Sequence, residues 1–392
     1  MTAPPDEGEG RFILPGGLVD EAALRAFFAS AGDGERPTVR FELQRDLRAR
    51  LDKYIVGRIA FMSRTHVQRL IDEGDVRVNG QPAKPSTKLR LGDVVEVSPP
   101  PPPSGEIEPE RIDLSVLLED EHIVVLNKQP GIIVHPARSE NTGTLIHALA
   151  WHFANVSGGS LSTVGTEHAR PGVVHRLDRH TTGCIVFAKT EEAHWKLGRQ
   201  FEHRSVNKRY LAVVHGRVEP DVHVIDMPLG PHQSRAKGAR EKQVVRFDEV
   251  GKPSVTVCRV RERYRLHHRS VGDQHFTLVE LELKTGRTHQ IRVHMAHQGW
   301  PLVGDDLYGG RAFVAPGDAS VLREGAGETI IDRQALHAAL LAFEHPVSGE
   351  PVECVAPIPA DLVRLIDCLR AADSPEPIES EGLVSAARLG LA

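Results

Sequence analysis

The stretch Gly172–Lys189, Gly-Val-Val-His-Arg-Leu-Asp-Arg-His-Thr-Thr-Gly-Cys-Ile-Val-Phe-Ala-Lys, decides how most of this chain is interpreted. Apolar residues typical of strands flank a short polar loop, and Gly183 ends that loop. The loop would hold Asp178 between two strands, with Arg176 and Arg179 close to it in sequence. Nearby cations favour an ionised carboxylate, which can serve as a nucleophile, a base or a metal ligand. A local ion pair that fixes the loop explains the same residues, and the stretch alone favours that simpler interpretation.

A second stretch, Leu283–Gly299, reads Leu-Lys-Thr-Gly-Arg-Thr-His-Gln-Ile-Arg-Val-His-Met-Ala-His-Gln-Gly and predicts a sharp turn followed by a helix. Arg287 and Arg292 would lie in the N-terminal half of that helix. An anionic substrate group beside them would be stabilised by the guanidinium charges and by the helix N-terminus. Two histidines of the helix are spaced i, i+3, but no Glu motif or Cys pair accompanies them. We therefore predict no metal site here.

A third stretch, Lys208–Gly216, predicts a strand with Tyr210 near its start. Tyrosine is rare in this chain, at 4 of 392 residues. A tyrosine beside basic residues can stack on a nucleic-acid base or transfer a proton, and an ordinary core tyrosine is the alternative.

The sequence contains no glycine-rich phosphate loop and no nucleophile elbow, which excludes the commonest nucleotide-binding and hydrolase motifs.

The composition is that of a globular protein, with 40% hydrophobic and 26% charged residues. A net charge of −5 does not by itself indicate a nucleic-acid-binding protein. The 4 cysteines lie far apart, which excludes a disulfide framework and CxxC zinc pairs. No apolar run approaches the roughly 20 residues of a membrane span, and the first residues lack the pattern of a signal peptide. We therefore predict a cytoplasmic protein that does not bind membranes.

Charge and proline content divide the chain into segments. Residues 1–44 contain eight acidic and four basic residues, whereas residues 45–93 contain six acidic and eleven basic ones. The run Pro99–Pro103 favours an extended spacer between two domains. The predicted organisation is an acidic N-terminal extension over 1–44, a small domain over 45–98, a linker over 99–112, a large domain over 113–370 and a flexible tail over 371–392.

The small domain is predicted to consist of two short helices followed by strands, with a tight turn at Asn79-Gly80. Its helices would present Arg58, Arg64, His66 and Arg69 on one face. Basic side chains concentrated in one module of an acidic protein indicate contacts with RNA phosphates. For any single arginine, a solvated helix surface is the better explanation.

The large domain alternates strand-like apolar runs with short helical patterns. Hairpin-like spacing beside helices predicts an α+β fold with a mixed, largely antiparallel sheet, rather than a parallel doubly wound sheet. Residues 310–333 are interpreted as an excursion from this domain.

The order of these motifs adds to the interpretation. His-Arg-Leu-Asp…Thr-Thr-Gly is followed by Lys-x-Tyr-x-Ala, then Thr-Gly-Arg-Thr-His-Gln-Ile-Arg-Val-His, then the segments Pro301–Gly309 and Leu336–Pro346. This order resembles the RluA-type pseudouridine synthases over residues 113–365. Residues 45–98 resemble the small S4-type RNA-binding domain, which is often fused in front of that catalytic domain.

The resemblance implies roles for particular residues. Asp178 would be the catalytic aspartate, and Tyr210 would contact the target base or serve as the general base. Arg292 would pair with the aspartate, Ile291 would pack beneath the uracil, and Arg176 would occupy the space that the flipped nucleotide leaves.

The implied reaction, uridine to pseudouridine, breaks the N1–C1′ bond and forms a C5–C1′ bond without an oxidant or a second substrate. We therefore expect no cofactor and no metal. We also expect a monomer without an obligate protein partner. Large-subunit ribosomal RNA is the leading candidate substrate. The alternatives are a transfer-RNA pseudouridine synthase and a non-catalytic RNA-binding factor for ribosome assembly.

Overall fold

The computed structural model divides the chain into two compact units, Met1–Gly105 and Glu106–Ala392. It describes residues 12–31, 35–47, 49–59, 61–62, 64–102, 107–136, 140–165, 170–234, 242–268, 272–315, 328–372 and 375–391.

The first unit combines helices with a small antiparallel sheet. Its elements are α1 (Glu21–Ser30), β1 (Val39–Glu42), α2 (Leu51–Val56), α3 (Arg64–Glu73), β2 (Val76–Val78), β3 (Gln81–Pro82) and β4 (Val94–Val97). The strand order is β1-β4-β2-β3. Asn79 and Gly80, with φ of 53° and 73°, form the tight turn of the β2–β3 hairpin, as the sequence predicts.

The predicted boundary at residue 45 differs from the structure. Strand β1 pairs with β4, with Val39 opposite Val97, and Phe12, Leu24 and Phe41 are buried in the same core as the helices of the small domain. Much of the predicted acidic extension therefore belongs to the first unit, because its apolar residues complete that core.

The second unit is built on a large mixed sheet. Its strands are β5 (Ser115–Glu119), β6 (Ile123–Lys128), β7 (Thr182–Ala188), β8 (Asn207–His215), β9 (Val222–Asp226), β12 (Val255–His268), β13 (Gly272–Leu283), β16 (Leu336–Glu344), β17 (Pro351–Val355) and β18 (Glu376–Pro377). The strand order is β18-β12-β13-β8-β16-β7-β6-β5, with β17 on β16 and β9 on β12. All of these pairs are antiparallel except β16 with β7. The predicted mixed, largely antiparallel α+β fold is confirmed.

Helices cover the two faces of this sheet. The remaining elements are α4 (Leu145–His152), α5 (Glu191–His203), α6 (Gln290–His297) and α7 (Ala360–Ala372), with short hairpins β10–β11 (Leu229–Pro231, Gln243–Val245) and β14–β15 (Phe313–Val314, Thr329–Ile331). Successive strand residues point to opposite faces. Tyr210 of β8 accordingly lies in the core that includes Ile291 of α6, whereas its neighbour Leu211 packs in the core of α7.

The structure also differs from the predicted linker and tail. Ile107 and Ile112 pack against the core of the second unit. At the other end, β18 pairs with β12, and Leu389 and Leu391 are buried in the core beside α7. The polar composition of these segments hid a few apolar residues that anchor them. The excursion at 310–333 contributes the β14–β15 hairpin, and its centre lies outside the described residues.

Candidate active site

The loop that carries Asp178 is fixed mainly through its backbone carbonyl groups. The buried Lys128 ammonium at the end of β6 donates to the carbonyl oxygen of Arg179 at 2.7 Å. Arg333 donates to the carbonyl oxygen of His180 at 3.0 Å. Lys128 and Arg333 therefore fix the backbone of the two residues that follow Asp178, and these contacts do not involve the Asp178 carboxylate.

Gly183 ends the loop for a steric reason. It has a φ of 108°, and a Cβ atom there would lie 2.2 Å from the carbonyl oxygen of Ala338 on β16. Only glycine avoids both the strained backbone and the clash. The close approach lets β7 run parallel to β16 immediately after the loop.

The guanidinium of Arg179 forms an ion pair with Glu140, whereas Arg176 is exposed at the cleft. Arg176 and Arg179, the two cations that flank Asp178 in sequence, therefore have different surroundings. The cation that the structure brings to Asp178 comes instead from α6.

Arg292 of α6 is buried between two carboxylates. Its Nε and Nη2 atoms donate to Asp305 at 2.7 and 2.8 Å, and its Nη1 lies 3.5 Å from Asp178 Oδ2. Burial opposes the charged guanidinium, but the ion pair with Asp305 outweighs it and raises the pKa of Arg292. The predicted contact with Asp178 is present but long, and Asp305 is the main partner. Asp305 was not among the residues predicted for the site, although it lies inside the quoted segment Pro301–Gly309.

His289 is a second neighbour that the sequence analysis missed. It adopts a left-handed conformation with φ of 57° immediately before α6. Its Nδ1 lies 2.8 Å from the Tyr308 hydroxyl, and its Nε2 lies 3.9 Å from Asp178 Oδ1. Burial lowers the pKa of His289, although the charge of Asp178 opposes this effect. A neutral imidazole is therefore expected beside Asp178 near pH 7.

Tyr210 lies in the same cavity wall, at the start of β8, and is buried. Burial raises the pKa of its phenol, and the negative charge of Asp178 adds to the effect. Tyr210 therefore remains a neutral hydroxyl at ordinary pH, which suits hydrogen bonding to a base better than action as a phenolate.

These side chains line one cleft of about 470 Å³, within the usual range for sites that enclose a small molecule or one nucleotide. All six residues that the sequence analysis placed at the site of the large domain contribute to its wall: Arg176, Asp178, Tyr210, Arg287, Ile291 and Arg292. The structure thus brings together parts of the chain that are distant in sequence.

The four predicted RNA-binding residues of the first unit have differing surroundings. Arg58 donates to a backbone carbonyl at 2.9 Å, and Arg64 forms an ion pair with the buried Asp52 at 2.7 Å. Arg69 is exposed and lies 3.6 Å from Glu73, and His66 is also exposed. The side chains of Arg69 and His66 are therefore more exposed than those of Arg58 and Arg64.

Within the part of the chain that the structure describes, no three His, Cys, Asp or Glu side chains are grouped so that they could hold a metal ion. None of the described helices is both long and apolar enough to span a membrane.

Comparison with known proteins identifies the class of protein to which this chain belongs. The RNA pseudouridylate synthase family model matches residues 122–297, which include Asp178, Tyr210 and Arg292, and the S4 domain model matches residues 49–95. An uncharacterised RNA pseudouridine synthase of Bacillus subtilis is 40% identical over 321 residues, covering 82% of this chain and 94% of that protein.

Two further relatives carry the name ribosomal large subunit pseudouridine synthase D. The protein of Xanthomonas campestris is 39% identical, covering 82% of this chain and 89% of its own length. The protein of Zymomonas mobilis is 40% identical, covering 82% and 93% respectively. The chain belongs to the RluA-type family of RNA pseudouridine synthases and carries an S4 domain in front of its catalytic domain.

Proposed function

We propose that this enzyme converts uridine to pseudouridine in large-subunit ribosomal RNA and that Asp178 is its catalytic carboxylate. The printed names of two relatives, both ribosomal large subunit pseudouridine synthase D, support this substrate. We further propose that it works in the cytoplasm as a monomer, with RNA as its partner.

One observation carries the assignment of Asp178. Arg292 uses two of its nitrogens for Asp305, so only Nη1 is directed toward Asp178, at 3.5 Å. Asp178 therefore lies beside a positive charge but does not form a close, two-point ion pair with it. Its side chain remains 18% exposed, so it can reach a substrate in the cleft.

The reaction would start when the target uridine leaves its stack, at a cost of a few kcal/mol, and enters the cleft. Arg176, exposed at the cleft, would occupy the vacated space, and Ile291 would pack beneath the uracil. Asp178 would act at C1′ or at the base as the N1–C1′ bond breaks. After the base rotates, C5 bonds to C1′, the C5 proton is lost and N1 gains a proton.

Tyr210 would contribute as a neutral hydroxyl that contacts the base. Arg287, in the turn before α6, would contact an anionic group of the substrate. Arg58, Arg64, His66 and Arg69 of the first unit would add phosphate contacts that make binding depend on salt.

The test of Asp178 is tritium release from RNA that carries 5-tritiated uridine. Asp178→Asn should release no tritium while its affinity for RNA persists, because the amide keeps the shape but not the charge. Glu202→Gln is the matched control, since Glu202 is another carboxylate in the wall of the same cleft. Full activity of Asp178→Asn would contradict the assignment.

The test of the substrate is a map of pseudouridine in ribosomal and transfer RNA from cells with and without the protein. We expect the loss of one or more sites in large-subunit ribosomal RNA alone. Sites lost only from transfer RNA would support the alternative substrate, and no lost site would support a non-catalytic factor.

A further inference from the structure

Most buried cations of the second unit have carboxylate partners. Arg261 forms an ion pair with Glu280, Arg292 lies 2.7 Å from Asp305, and Arg333 lies 2.7 Å from Asp361. Four cations in the cleft wall differ, because no carboxylate among the described residues lies within ion-pair distance of their side chains. They are Arg176, Arg204, Lys208 and Arg287.

Lys208 is the least expected of these four. It lies on β8, two residues before Tyr210, and only 9% of it is exposed. In the described structure its ammonium has no hydrogen-bond acceptor, and the Phe201 ring lies 5.9 Å away. Burial and the like charge of its neighbour Arg204 both lower the pKa of Lys208. The side chain is largely enclosed but its ammonium meets the cleft, so an anion bound in the cleft would stabilise its charged form.

Arg204 supplies a second charge at the same part of the cleft. It follows the last residue of α5 and adopts a left-handed conformation, with φ of 62°. Glycine usually occupies this position at a helix C-terminus, because other residues are strained there. The Arg204 side chain is exposed and lines the cleft. Lys208 thus provides a point charge that faces the cleft from a largely buried side chain. Arg204 provides an accessible guanidinium that can bind two oxygens at once.

The opposite wall leaves space beside this pair. A Cβ atom built on Gly286 would lie 3.9 Å from Lys208 Nζ, with no other atom within 4 Å. The neighbouring Glu202 also lines the cleft but forms no ion pair with either cation in the described structure. The pocket beside the Lys208 ammonium is therefore open, positively charged and lined by backbone on one side.

We propose that Lys208 and Arg204 form a subsite for one backbone phosphate of the RNA strand that carries the target uridine. The inference rests on the proposed function, since it takes the occupant of the cleft to be a flipped nucleotide whose own phosphates stay near the mouth. A phosphodiester supplies the missing negative charge and fixes the register of the strand relative to Asp178 and Tyr210. Lys208 and Arg204 are positioning residues in this scheme.

The first test separates binding from chemistry. Lys208→Met keeps the volume and removes the charge, and Lys196→Met is the control, because Lys196 lies on the surface of α5 paired with Glu192. A lost hydrogen bond to a charged group corresponds to roughly a 10- to 100-fold rise in the half-saturating RNA concentration. The slope of log affinity against log salt should become shallower by about 0.7 to 0.9. The single-turnover rate at saturating RNA should change little, and the control should match the wild type.

The second test identifies the phosphate. A series of RNAs carries one uncharged methylphosphonate linkage at successive positions around the target uridine. Wild-type binding should weaken at one position, and the same substitution should cause no further loss with Lys208→Met or with Arg204→Met. Arg204 is exposed, so its variant remains informative even if Lys208→Met folds poorly.

Several results would overturn the subsite. One is that the methylphosphonate linkage and the Lys208→Met substitution reduce binding additively at every position. Another is an unchanged slope of log affinity against log salt. A third is a fall confined to the single-turnover rate at saturating RNA, which would indicate that Lys208 takes part in the chemistry. All binding measurements can use the Asp178→Asn background. Failure of the subsite is then distinguishable from failure of the proposed function, which the tritium assay reports separately.

Discussion

The two carboxylates that face Arg292 should respond in opposite ways to the same substitution. Asp305 is fully buried and accepts two hydrogen bonds from the guanidinium, at 2.7 and 2.8 Å. Asp178 is partly exposed and makes one long contact at 3.5 Å. Replacing either with asparagine removes one negative charge and keeps the shape. We expect Asp305→Asn to impair stability and Asp178→Asn to impair chemistry.

The expected magnitudes follow from burial. Removing one partner of a buried ion pair destabilises a protein by about 3–5 kcal/mol, because the remaining charge is left unpaired. The asparagine oxygen can still accept one of the two bonds, so about 3 kcal/mol is expected for Asp305→Asn. For the partly exposed Asp178, a change within about 1 kcal/mol is expected. In Asp305→Asn the guanidinium is also free to pair more tightly with Asp178, so turnover should fall but not vanish.

The assay combines urea unfolding, which yields the free energy of unfolding, with tritium release under single-turnover conditions. Agreement requires a stable but inactive Asp178→Asn and a less stable, partly active Asp305→Asn. An Asp305→Asn variant as stable as the wild type would refute the claim that Asp305 anchors Arg292. A strongly destabilised Asp178→Asn would show that Asp178 has a structural role that the long contact does not reveal.

Three further predictions follow from the same structure. Arg292→Lys keeps the charge but loses the planar fork, so kcat should fall more than RNA affinity; wild-type turnover would mean that the two-point contact with Asp305 is unimportant. The catalytic unit Glu106–Ala392 alone should retain its saturating rate and show a shallower salt dependence of RNA binding, which a salt series compares with the full chain. Burial lowers the pKa of Lys128 in the folded protein to about 7. Between pH 7 and the higher pKa that Lys128 has in the unfolded chain, the unfolded state binds more protons than the folded state. The free energy of unfolding therefore rises with pH in this range. From pH 7 to 9 the wild type should gain about 2 kcal/mol in unfolding free energy relative to Lys128→Met, and parallel curves would contradict this.

Local patterns predicted the strands and helices well, because the periodicity of apolar residues reports which face is buried. The stretch Lys208–Gly216 predicted strand β8, and Asn79-Gly80 marked the hairpin between β2 and β3. The order of polar motifs also predicted which side chains share the cleft. These patterns and motifs could be recognised because each consists of residues that are close together in the sequence.

The missed features depend on packing between distant segments. The Lys128 ammonium binds a carbonyl 51 positions away, and Asp305 reaches Arg292 only after the turn folds back onto α6. His289 looked like one of many histidines, since its left-handed backbone is set by the tertiary structure. Strand β1 was missed because its partner β4 lies more than fifty residues later. Spacing alone does not reveal such contacts.

The burial of Leu389 and Leu391 beside α7 has a consequence for biosynthesis. A chain leaves the ribosome N-terminus first, so the core of the first unit is complete while most of the second is still being translated. The part of the core beside α7 can be completed only after residues near position 390 have been synthesised. During translation the nascent protein would thus hold a folded RNA-binding module beside an unfinished catalyst, so binding would be acquired before activity.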